Sequence, residues 1–344
     1  MMRALVVTGP RKAAVLDVPD PVPSAGELLV EVERVGICGT DVELYSGEMA
    51  YLDQGITHFP IRLGHEWTGR VIAAGSPHEE SWIGERITGD TMLGCGHCDY
   101  CVGGHHHVCP HRFEVGITDG WAGALAERVL IPTKFAYVIP DSVTVTAAAL
   151  VEPGGNSLRA VRAAGLEPGQ SVLVLGSGTI GLLAAQFALA EGADVHIAGV
   201  REGSLALART LGVAHTSTLT DLTSGADSQF DSVIDATSLD SGPALAVRLT
   251  KPAGRVVFIG LSSVPSTVDT RNIVLKDITA VGILSASPGL AGAIRSFASG
   301  AVVPDSLVSE VISLEDVPSR LEGRRGPNAG PGPKVHVDPR IVAV

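Results

Sequence analysis

The chain has 344 residues, a formal net charge of −12, 45% hydrophobic residues and 18% charged residues. This length suggests two domains, each large enough for its own hydrophobic core, and the composition excludes a disordered protein. The acidic charge argues against nucleic acid and anionic membranes as the main partners.

The N-terminal sequence MMRALVVTGP carries too short an apolar run for a secretory signal peptide. We therefore expect a cytoplasmic protein, in a compartment where cysteines bind metal more readily than they form disulfides. Each of the five cysteines is a candidate metal ligand on this basis.

Residues 1 to about 150 have the pattern of a β-domain with long loops. Val30 and Val32 alternate with Glu31 and Glu33, as expected for a half-buried strand. The segments GRVIAAG and LAERVLIP are similar short strands between glycine and proline turns. We predict an antiparallel, barrel-like domain.

Metal-ligating side chains occur in three loops of this region: Cys38 in VGICGTD, His65 and Glu66 in LGHEW, and Glu152 in LVEPGGN. A catalytic zinc ion takes about three protein ligands and keeps one exchangeable position, which a thiolate, an imidazole and a carboxylate would provide. Taken singly, each residue has an ordinary structural explanation: a buried thiol, a histidine with hydrogen-bonded ring nitrogens, or a surface carboxylate.

The other four cysteines lie in one short loop, GCGHCDYCVGGHHHVC. Cys95, Cys98, Cys101 and Cys109 have the spacing C-x2-C-x2-C-x7-C, and four such thiolates can surround one tetrahedral zinc ion with Zn–S bonds of about 2.3 Å. Disulfides are disfavoured in a reducing compartment, and iron–sulfur motifs have a shorter final gap. We predict a closed, structural zinc site. The remaining side chains of the loop are expected to be exposed: Tyr100, His105, His106 and His107.

From about residue 154 to residue 289, continuous apolar runs alternate with helical patterns, which is typical of a parallel sheet covered on both faces. The uncharged segment 172–190 is long enough to span a membrane, but glycines in its middle predict a strand, a turn and a helix instead. We expect domains at 1–153 and 154–289, with residues 290–344 returning to the first domain.

The glycines of this segment form the motif VLVLGSGTIG, with Gly176, Gly178 and Gly181 in the spacing G-x-G-x-x-G. Directly after a strand and before a helix, this motif predicts dinucleotide binding rather than a purely structural turn. The cofactor phosphates would lie at the N-terminus of the helix, where Thr179 and Ile180 offer free backbone N–H groups.

In combination, these motifs resemble those of the zinc-dependent medium-chain dehydrogenase/reductase family, which includes alcohol, sorbitol and threonine dehydrogenases. The resemblance covers nearly the whole chain and rests on GICGTD, GHEWTG, the four-cysteine loop, the Glu-Pro pair at 152–153 and the glycine turn, in that order. It implies an α/β fold: a GroES-like β-barrel catalytic domain with an inserted Rossmann domain, a doubly wound parallel sheet. The active site would lie in the cleft between them.

The resemblance also implies two zinc ions per chain, one catalytic and one structural. The catalytic ion would be held by Cys38 and His65, with Glu66 and Glu152 both candidates for the carboxylate ligand. The structural ion would be held by the four-cysteine loop.

Three neighbours of Cys38 have implied roles. Thr40 would place a hydroxyl beside the substrate oxygen and pass on a proton, and Asp41 would orient His65. Many relatives have a histidine where this chain has Glu43, so the outer part of a proton relay would differ.

The family's spacing places the residue that selects the cofactor at Gly199, at the end of the second strand of the Rossmann domain. A carboxylate at this position would bind the ribose 2′-hydroxyl of NAD and repel a 2′-phosphate. Glycine leaves room for the phosphate, and Arg201 can hold it. We therefore predict a preference for NADP, with an inward-turned Glu202 as the rival basis for NAD selection.

The predicted enzyme is an oxidoreductase that transfers a hydride between a nicotinamide cofactor and a secondary alcohol, such as a polyol, a sugar or an aminocyclitol. The alternatives are a zinc-free quinone or enoyl reductase of the same superfamily and a non-enzymatic zinc-ribbon binding protein. The resemblance also implies that a strand at Ile278 to Leu284 lies at the sheet edge and pairs with its twin across a two-fold axis, which gives a homodimer or homotetramer. Candidate substrate-pocket residues are Tyr45, Met49, Tyr51, Trp67 and Trp121.

Overall fold

The computed structural model describes residues 1–223 and 227–342. The strands are β1 Met2–Gly9, β2 Lys12–Val18, β3 Glu27–Gly36, β4 Glu66–Ala74, β5 Arg86–Gly89, β6 Met92–Leu93, β7 Phe113–Glu114, β8 Arg128–Pro132, β9 Ala136–Val138, β10 Ser171–Leu175, β11 Asp194–Gly199, β12 His215–Thr218, β13 Phe230–Asp235, β14 Thr250–Phe258, β15 Thr279–Gly282, β16 Val308–Ile312 and β17 Lys334–Val337. The helices are α1 Gly39–Ser46, α2 Ala50–Asp53, α3 Asp99–Val102, α4 Val145–Ala148, α5 Val151–Ala164, α6 Thr179–Ala190, α7 Glu202–Thr210, α8 Leu219–Thr223, α9 Gly242–Leu249, α10 Thr270–Leu275, α11 Leu290–Ala298 and α12 Val317–Leu321. Short 3-10 helices occupy Pro77–Trp82, His106–Val108, Thr133–Phe135, Ser287–Gly289 and Asp305–Leu307.

The chain forms two compact units. The first unit contains Met1–Glu152, Val308–Gly330 and the chain from Lys334 onward. The second unit contains Pro153–Leu307 and Pro331–Pro333.

The first unit is built on a sheet in the order β16-β17-β3-β4-β5-β9, with β8 also paired to β3. Its pairs are antiparallel except for β16 with β17. On strand β3, Val30 and Val32 are buried and Glu31 is exposed, as the sequence predicts, and the valines pack into the main core of the unit. Glu33 is buried, contrary to the prediction, because it pairs with Arg86 at 2.7 Å. The antiparallel β-character predicted for this region is confirmed.

The second unit is a six-stranded parallel sheet in the order β12-β11-β10-β13-β14-β15. Numbered within the unit, this is the order 3-2-1-4-5-6 of a Rossmann fold, in which the topology switches direction between β10 and β13. Strand β10 is buried along nearly its whole length because helices cover both faces of such a sheet. Strand β15 lies at one edge, as predicted for the segment from Ile278.

None of the described helices is long and apolar enough to cross a membrane. The uncharged segment 172–190 divides between strand β10 and helix α6, as the glycines in its middle predict.

The second unit extends to Leu307, beyond the boundary at residue 289 that the sequence suggested. The reason is that α11 packs closely on α5: a Cβ atom at Gly154 would lie 2.8 Å from the ring of Phe297. A Cβ atom at Gly289 would lie 2.1 Å from the carbonyl oxygen of Gly155. The paired glycines therefore allow the backbones to approach, and they bring the α11 segment into this unit.

We predict that Gly289→Ala lowers the free energy of unfolding by about 1–3 kcal/mol, because the added methyl group overlaps backbone that cannot move aside locally. Gly203→Ala is the matched control: it lies in α7 with nothing within 4 Å of the new Cβ, and it should stabilise by up to about 1 kcal/mol. Urea denaturation of both variants provides the measurement. Equal midpoints would contradict the packing argument.

Candidate metal and cofactor sites

The buried carboxylate of Asp41 holds two loops of the first unit together. Helix α1 begins directly after Cys38, whose backbone N–H donates to Asp41 Oδ2 at 2.8 Å. The backbone N–H of Gly64 donates to Oδ1 at 3.1 Å. Because Asp41 is fully buried, both hydrogen bonds are shielded from water, and together they fix the segments that carry Cys38 and His65.

Cys38, His65 and Glu66 converge in the structure, with one ligand atom of each within 4.8 Å of the others. Nδ1 of the buried His65 lies 3.7 Å from Asp41 Oδ1, which is longer than a hydrogen bond, and it has no hydrogen-bond partner within the described part of the chain. Burial acts to lower the pKa of His65, but the charges of Asp41 and Cys38 raise it well above the ordinary value. This donor set of thiol, imidazole and carboxylate fits a zinc ion.

Glu66 has a partner that the sequence analysis missed. Lys334, on β17, donates to both carboxylate oxygens of Glu66 at 2.8 and 2.7 Å and to the carbonyl of Ile37 at 2.9 Å. Both charged side chains are almost fully buried. Burial acts to lower the pKa of Lys334, but Glu66 and Cys38 raise it above its ordinary value. Lys334 thus neutralises one carboxylate of the cluster.

The other predicted residues border the cluster. Glu152 is buried near the start of α5, and its charge helps to raise the pKa of His65, although it is not one of the three converging ligands. The hydroxyl of Thr40 lies 4.0 Å from the sulfur of Cys38. Glu43 lies on the exposed face of α1.

The four cysteines of the loop at 95–109 also converge, with all sulfur atoms within 4.8 Å of one another. Cys95 and Cys101 are 3.9 Å apart, and Cys98 and Cys109 are 3.7 Å apart. Four sulfurs bound to one tetrahedral zinc ion are about 3.8 Å apart. All four thiols are free, so the observed spacing fits the predicted zinc site and does not fit disulfides.

The thiols of this loop differ in their surroundings. Backbone N–H groups of His97 and Cys98 lower the pKa of Cys95 to about 6, whereas burial raises the pKa of Cys101 to about 12. The prediction that the neighbouring histidines are exposed is wrong for two of them. His107 is buried, and His106 is half-buried with its Nε2 2.8 Å from Asp90 Oδ2, because the end of the loop folds back onto the domain.

The glycine turn follows β10 and opens α6 as predicted, and each glycine has its own structural reason. Gly176 has a φ of +102°. A Cβ atom at Gly181 would lie 1.8 Å from the carbonyl oxygen of Gly176, so only glycine permits this packing of helix on turn. Gly178 has nothing within 4 Å of a Cβ position, which leaves room for a ligand to approach the backbone. Thr179 and Ile180 form the first turn of α6. The cradle fits a pyrophosphate.

Gly199 ends β11 beside the same turn. A Cβ atom there would lie 2.1 Å from the hydroxyl oxygen of Ser177, so a side chain at this position would require the Ser177 side chain to shift. Arg201 is exposed and immediately precedes α7. The carboxylate of Glu202 is exposed and pairs with Arg209 at 2.7 Å. It is therefore not turned inward, as NAD selection by Glu202 would require.

Known proteins that are similar to this chain identify its family. The alcohol dehydrogenase GroES-like domain matches residues 24–141, and the zinc-binding dehydrogenase domain matches residues 179–299. L-threonine 3-dehydrogenase of Coxiella burnetii is 34% identical over 278 residues, which are 77% of this chain and 78% of that protein. The chain belongs to the zinc-dependent medium-chain dehydrogenase/reductase family.

Solved structures agree with this assignment. A zinc-binding dehydrogenase from Sinorhizobium meliloti 1021, bound to NADP, is 31% identical with a TM-score of 0.89, over 98% of this chain and 99% of its own. An Escherichia coli CFT073 protein described as a short chain alcohol dehydrogenase, complexed with NADH, is 26% identical with a TM-score of 0.88, over 98% and 99% of the two chains. The predicted family and fold class are confirmed, and this medium-chain dehydrogenase/reductase is an oxidoreductase.

The proposed substrate-pocket residues of this dehydrogenase require a correction. Tyr45 and Trp67 are 2% and 1% exposed and belong to the hydrophobic core, so the prediction that they line a pocket is wrong for both. Tyr45 lies on α1 and Trp67 on β4, and both side chains fill the interior of the first unit. Tyr51 is half-buried, with its hydroxyl 3.4 Å from Glu114. Trp121 donates its indole N–H to the carbonyl of Leu130 at 2.9 Å and lines a cavity of about 270 Å³.

We predict that Lys334→Met lowers the free energy of unfolding by about 3 kcal/mol or more, because it leaves the Glu66 carboxylate buried without a counter-charge. Glu66→Gln in the Lys334→Met background should recover part of the loss. The matched control is Lys251→Met: Lys251 pairs with Asp231 at 2.8 Å in a partly exposed position, so its loss should cost about 1 kcal/mol or less. Similar losses in both single variants, measured by urea denaturation, would show that burial of the pair does not matter.

Proposed function

We propose that this enzyme transfers a hydride between a secondary alcohol and a nicotinamide cofactor, with one catalytic and one structural zinc ion per chain. The observation that carries the proposal is the convergence of Cys38, His65 and Glu66 in a chain that also has an intact dinucleotide-binding turn. Hydride exchange needs a polarised substrate oxygen and a cofactor, and these two features supply them.

Cys38 and His65 would hold the catalytic ion, with a carboxylate from Glu66 or Glu152 and one position left for substrate. The cysteine loop at 95–109 would hold the structural ion, since four thiolates leave no position for substrate. When bound, zinc lowers the pKa of an alcohol and polarises a carbonyl, and the nicotinamide ring accepts or returns the hydride.

The protein's own part in the reaction is to position groups and move a proton. Asp41 keeps the segments of Cys38 and His65 in place through its two backbone hydrogen bonds. The Thr40 hydroxyl, 4.0 Å from the Cys38 sulfur, is suited to accept the alcohol proton and pass it outward. Lys334 compensates the charge of Glu66 and so limits the negative charge of the buried cluster.

We propose that the cofactor is NADP in preference to NAD. Gly178 leaves room for the pyrophosphate at the N-terminus of α6. Gly199 carries no carboxylate to repel a 2′-phosphate, and Arg201, two residues further on, offers an exposed guanidinium to bind it. Glu202 is engaged by Arg209, which weakens the case for NAD selection by Glu202.

The proposed substrate is a small secondary alcohol, in the class of polyols, sugars and aminocyclitols. The relative from Coxiella burnetii is named for L-threonine, whose side chain is also a secondary alcohol, so L-threonine belongs in the same screen. We also propose a cytoplasmic location.

A homodimer or homotetramer formed through β15 is part of the proposal. This strand is at the sheet edge, where unpaired backbone groups favour pairing with a second copy. Large apolar side chains in the segments that flank β15 and β14 in sequence are strongly exposed in the single chain, among them Leu261, Val274 and Leu275.

We expect Cys38→Ser to abolish turnover of whichever alcohol or ketone the substrate screen identifies, while the protein still folds. Cys98→Ser should lower stability first, because a closed zinc site contributes folding energy. Cofactor absorbance, urea denaturation and zinc content per chain provide the three measurements.

Each of these cysteine variants should lose about one of two zinc ions. Near-normal activity in Cys38→Ser would overturn the catalytic assignment. Active wild-type protein that contains no zinc would favour a zinc-free reductase.

We expect kcat/KM of the wild type to be higher with NADP than with NAD, and Arg201→Ala to lower the NADP value roughly ten- to hundredfold. The kcat/KM of Arg201→Ala with NAD should change little, because NAD has no 2′-phosphate. Arg209→Ala tests the rival residue, because it removes the ion-pair partner of Glu202; a higher kcat/KM with NAD in this variant would point to NAD selection by Glu202. A strong NAD preference that Arg201→Ala does not alter would refute the 2′-phosphate site.

A further inference from the structure

Two adjoining cavities lie in the first unit, apart from the metal-ligating residues. They have volumes of about 270 and 390 Å³ and share four lining residues: Arg62, Gly120, Trp121 and Ala122. None of the predicted zinc ligands is among the residues that line them. Pockets for drug-sized ligands measure about 300–1,000 Å³, so cavities of this size suit a small ligand.

Backbone pairing holds Arg62 against the loop that forms the opposite wall. The N–H of Gly123 donates to the carbonyl of Arg62 at 2.9 Å, and the N–H of Leu125 donates to the carbonyl of Leu63 at 3.0 Å. Leu63 and Leu125 are fully buried, so the core anchors both segments. The walls of the cavities are therefore preformed.

Arg62 is a half-buried cation without a counter-ion. Its guanidinium forms no hydrogen bond or ion pair with any residue that the structure describes. Burial lowers the pKa of Arg62, and no carboxylate of the described chain opposes this effect. Arg128, which lines the smaller cavity, differs because it pairs with Asp20. Arginine keeps its charge at any physiological pH, so an anion in the cavities would supply the missing counter-charge.

The loop that contains Trp121 offers further donors and an aromatic wall. The backbone N–H groups of Gly120, Trp121 and Ala122 donate to no acceptor within residues 1–223 and 227–342. Gly120 has a φ of +92°, and successive N–H groups beside a left-handed residue form a recurrent anion-binding arrangement. The indole N–H of Trp121 donates to the carbonyl of Leu130 at 2.9 Å, which fixes the ring as an apolar wall.

Two carboxylates in the lining determine which anion fits. Glu27 lines the smaller cavity and accepts the N–H of Ser24 at 2.9 Å. Asp119 lines the larger cavity, accepts the N–H of His58 at 2.9 Å and lies 2.7 Å from its Nδ1. These negative charges repel a dianion more strongly than a monoanion. One guanidinium with two carboxylates nearby therefore favours a monocarboxylate over a phosphate ester.

We propose that the two cavities form a binding site for a small organic monocarboxylate, whose carboxylate pairs with the guanidinium of Arg62 and whose apolar body packs against Trp121. The planar guanidinium can donate two parallel hydrogen bonds to a carboxylate. The site is separate from the catalytic cluster, and its ligand need not be the substrate.

The test is a titration of para-fluorobenzoate into the purified, zinc-loaded full-length protein, followed by fluorine NMR. Arg62→Met should weaken binding roughly ten- to hundredfold, because it removes a charge-assisted hydrogen-bonded pair and keeps the length of the side chain. Arg62→Lys should weaken it less, since lysine retains the charge but lacks the planar fork. The matched control is Arg295→Met, which removes an exposed arginine of α11 that lines neither cavity and should bind like the wild type.

Further arms separate this site from the catalytic zinc site and from an anion site of another class. Cys38→Ser should still bind para-fluorobenzoate; binding that Cys38→Ser abolishes and Arg62→Met leaves intact would place the ligand on zinc and overturn the proposal. The neutral para-fluorobenzamide should bind the wild type at least about tenfold more weakly than the carboxylate. Inorganic phosphate should displace the probe less effectively than benzoate does. No binding by the wild type, equal affinity in Arg62→Met, equal affinity for the amide, or stronger displacement by phosphate would each overturn the proposal.

Discussion

The metal-ligating part of the first unit depends on one buried carboxylate. Asp41 accepts a backbone hydrogen bond from Cys38 and another from Gly64, so a single side chain sets the separation of two segments that are distant in sequence. Its place in the first turn of α1 is favourable for a negative charge at a helix N-terminus. Because the carboxylate is fully buried, few alternative partners exist for it, and the geometry that it imposes is stiff.

In the second unit, the corresponding constraint is close approach of backbone to backbone. Helix α6 can start where it does only because residue 181 has no side chain to collide with the carbonyl of Gly176. On β11, the backbone of Gly199 lies close to the side chain of Ser177, which leaves no space for a Cβ atom at residue 199. The absence of side chains at these positions therefore shapes the turn first, and the space available to a cofactor follows from that shape.

The sequence predicted those parts of the molecule whose physics is local or periodic. The spacing of the four cysteines, the parallel-sheet pattern and the glycine turn each depend on neighbouring residues, and each prediction fits the structure. Pairing across long sequence distances could not be predicted in this way. Lys334 follows a proline- and glycine-rich stretch and belongs to none of the motifs, yet it is the buried counter-ion of Glu66.

The aromatic residues show a second limit of prediction from sequence. Trp67 and Tyr45 stand next to ligand motifs in the sequence, but proximity along the chain does not determine which face of a strand or helix points inward. Trp67 follows Glu66 directly on β4, and successive residues of a strand face opposite sides, so the tryptophan enters the core while the glutamate meets Lys334. His107 is a further case, since a loop that folds back buries its last residues.

The order of the chain gives the two thiol-containing sites different requirements for assembly. The loop at 95–109 closes over a short distance, at low entropic cost, and needs little of the rest of the fold. The charge of the cluster at Cys38 and Glu66 is balanced only when the chain has passed through the entire second unit and returned as β17, which carries Lys334. That strand pairs with β3 through His336 opposite Gly36, and this register brings Lys334 to the carbonyl of Ile37 and to Glu66. The insertion of one unit into the other thus makes the charge balance of the buried cluster depend on the last strand to be synthesised.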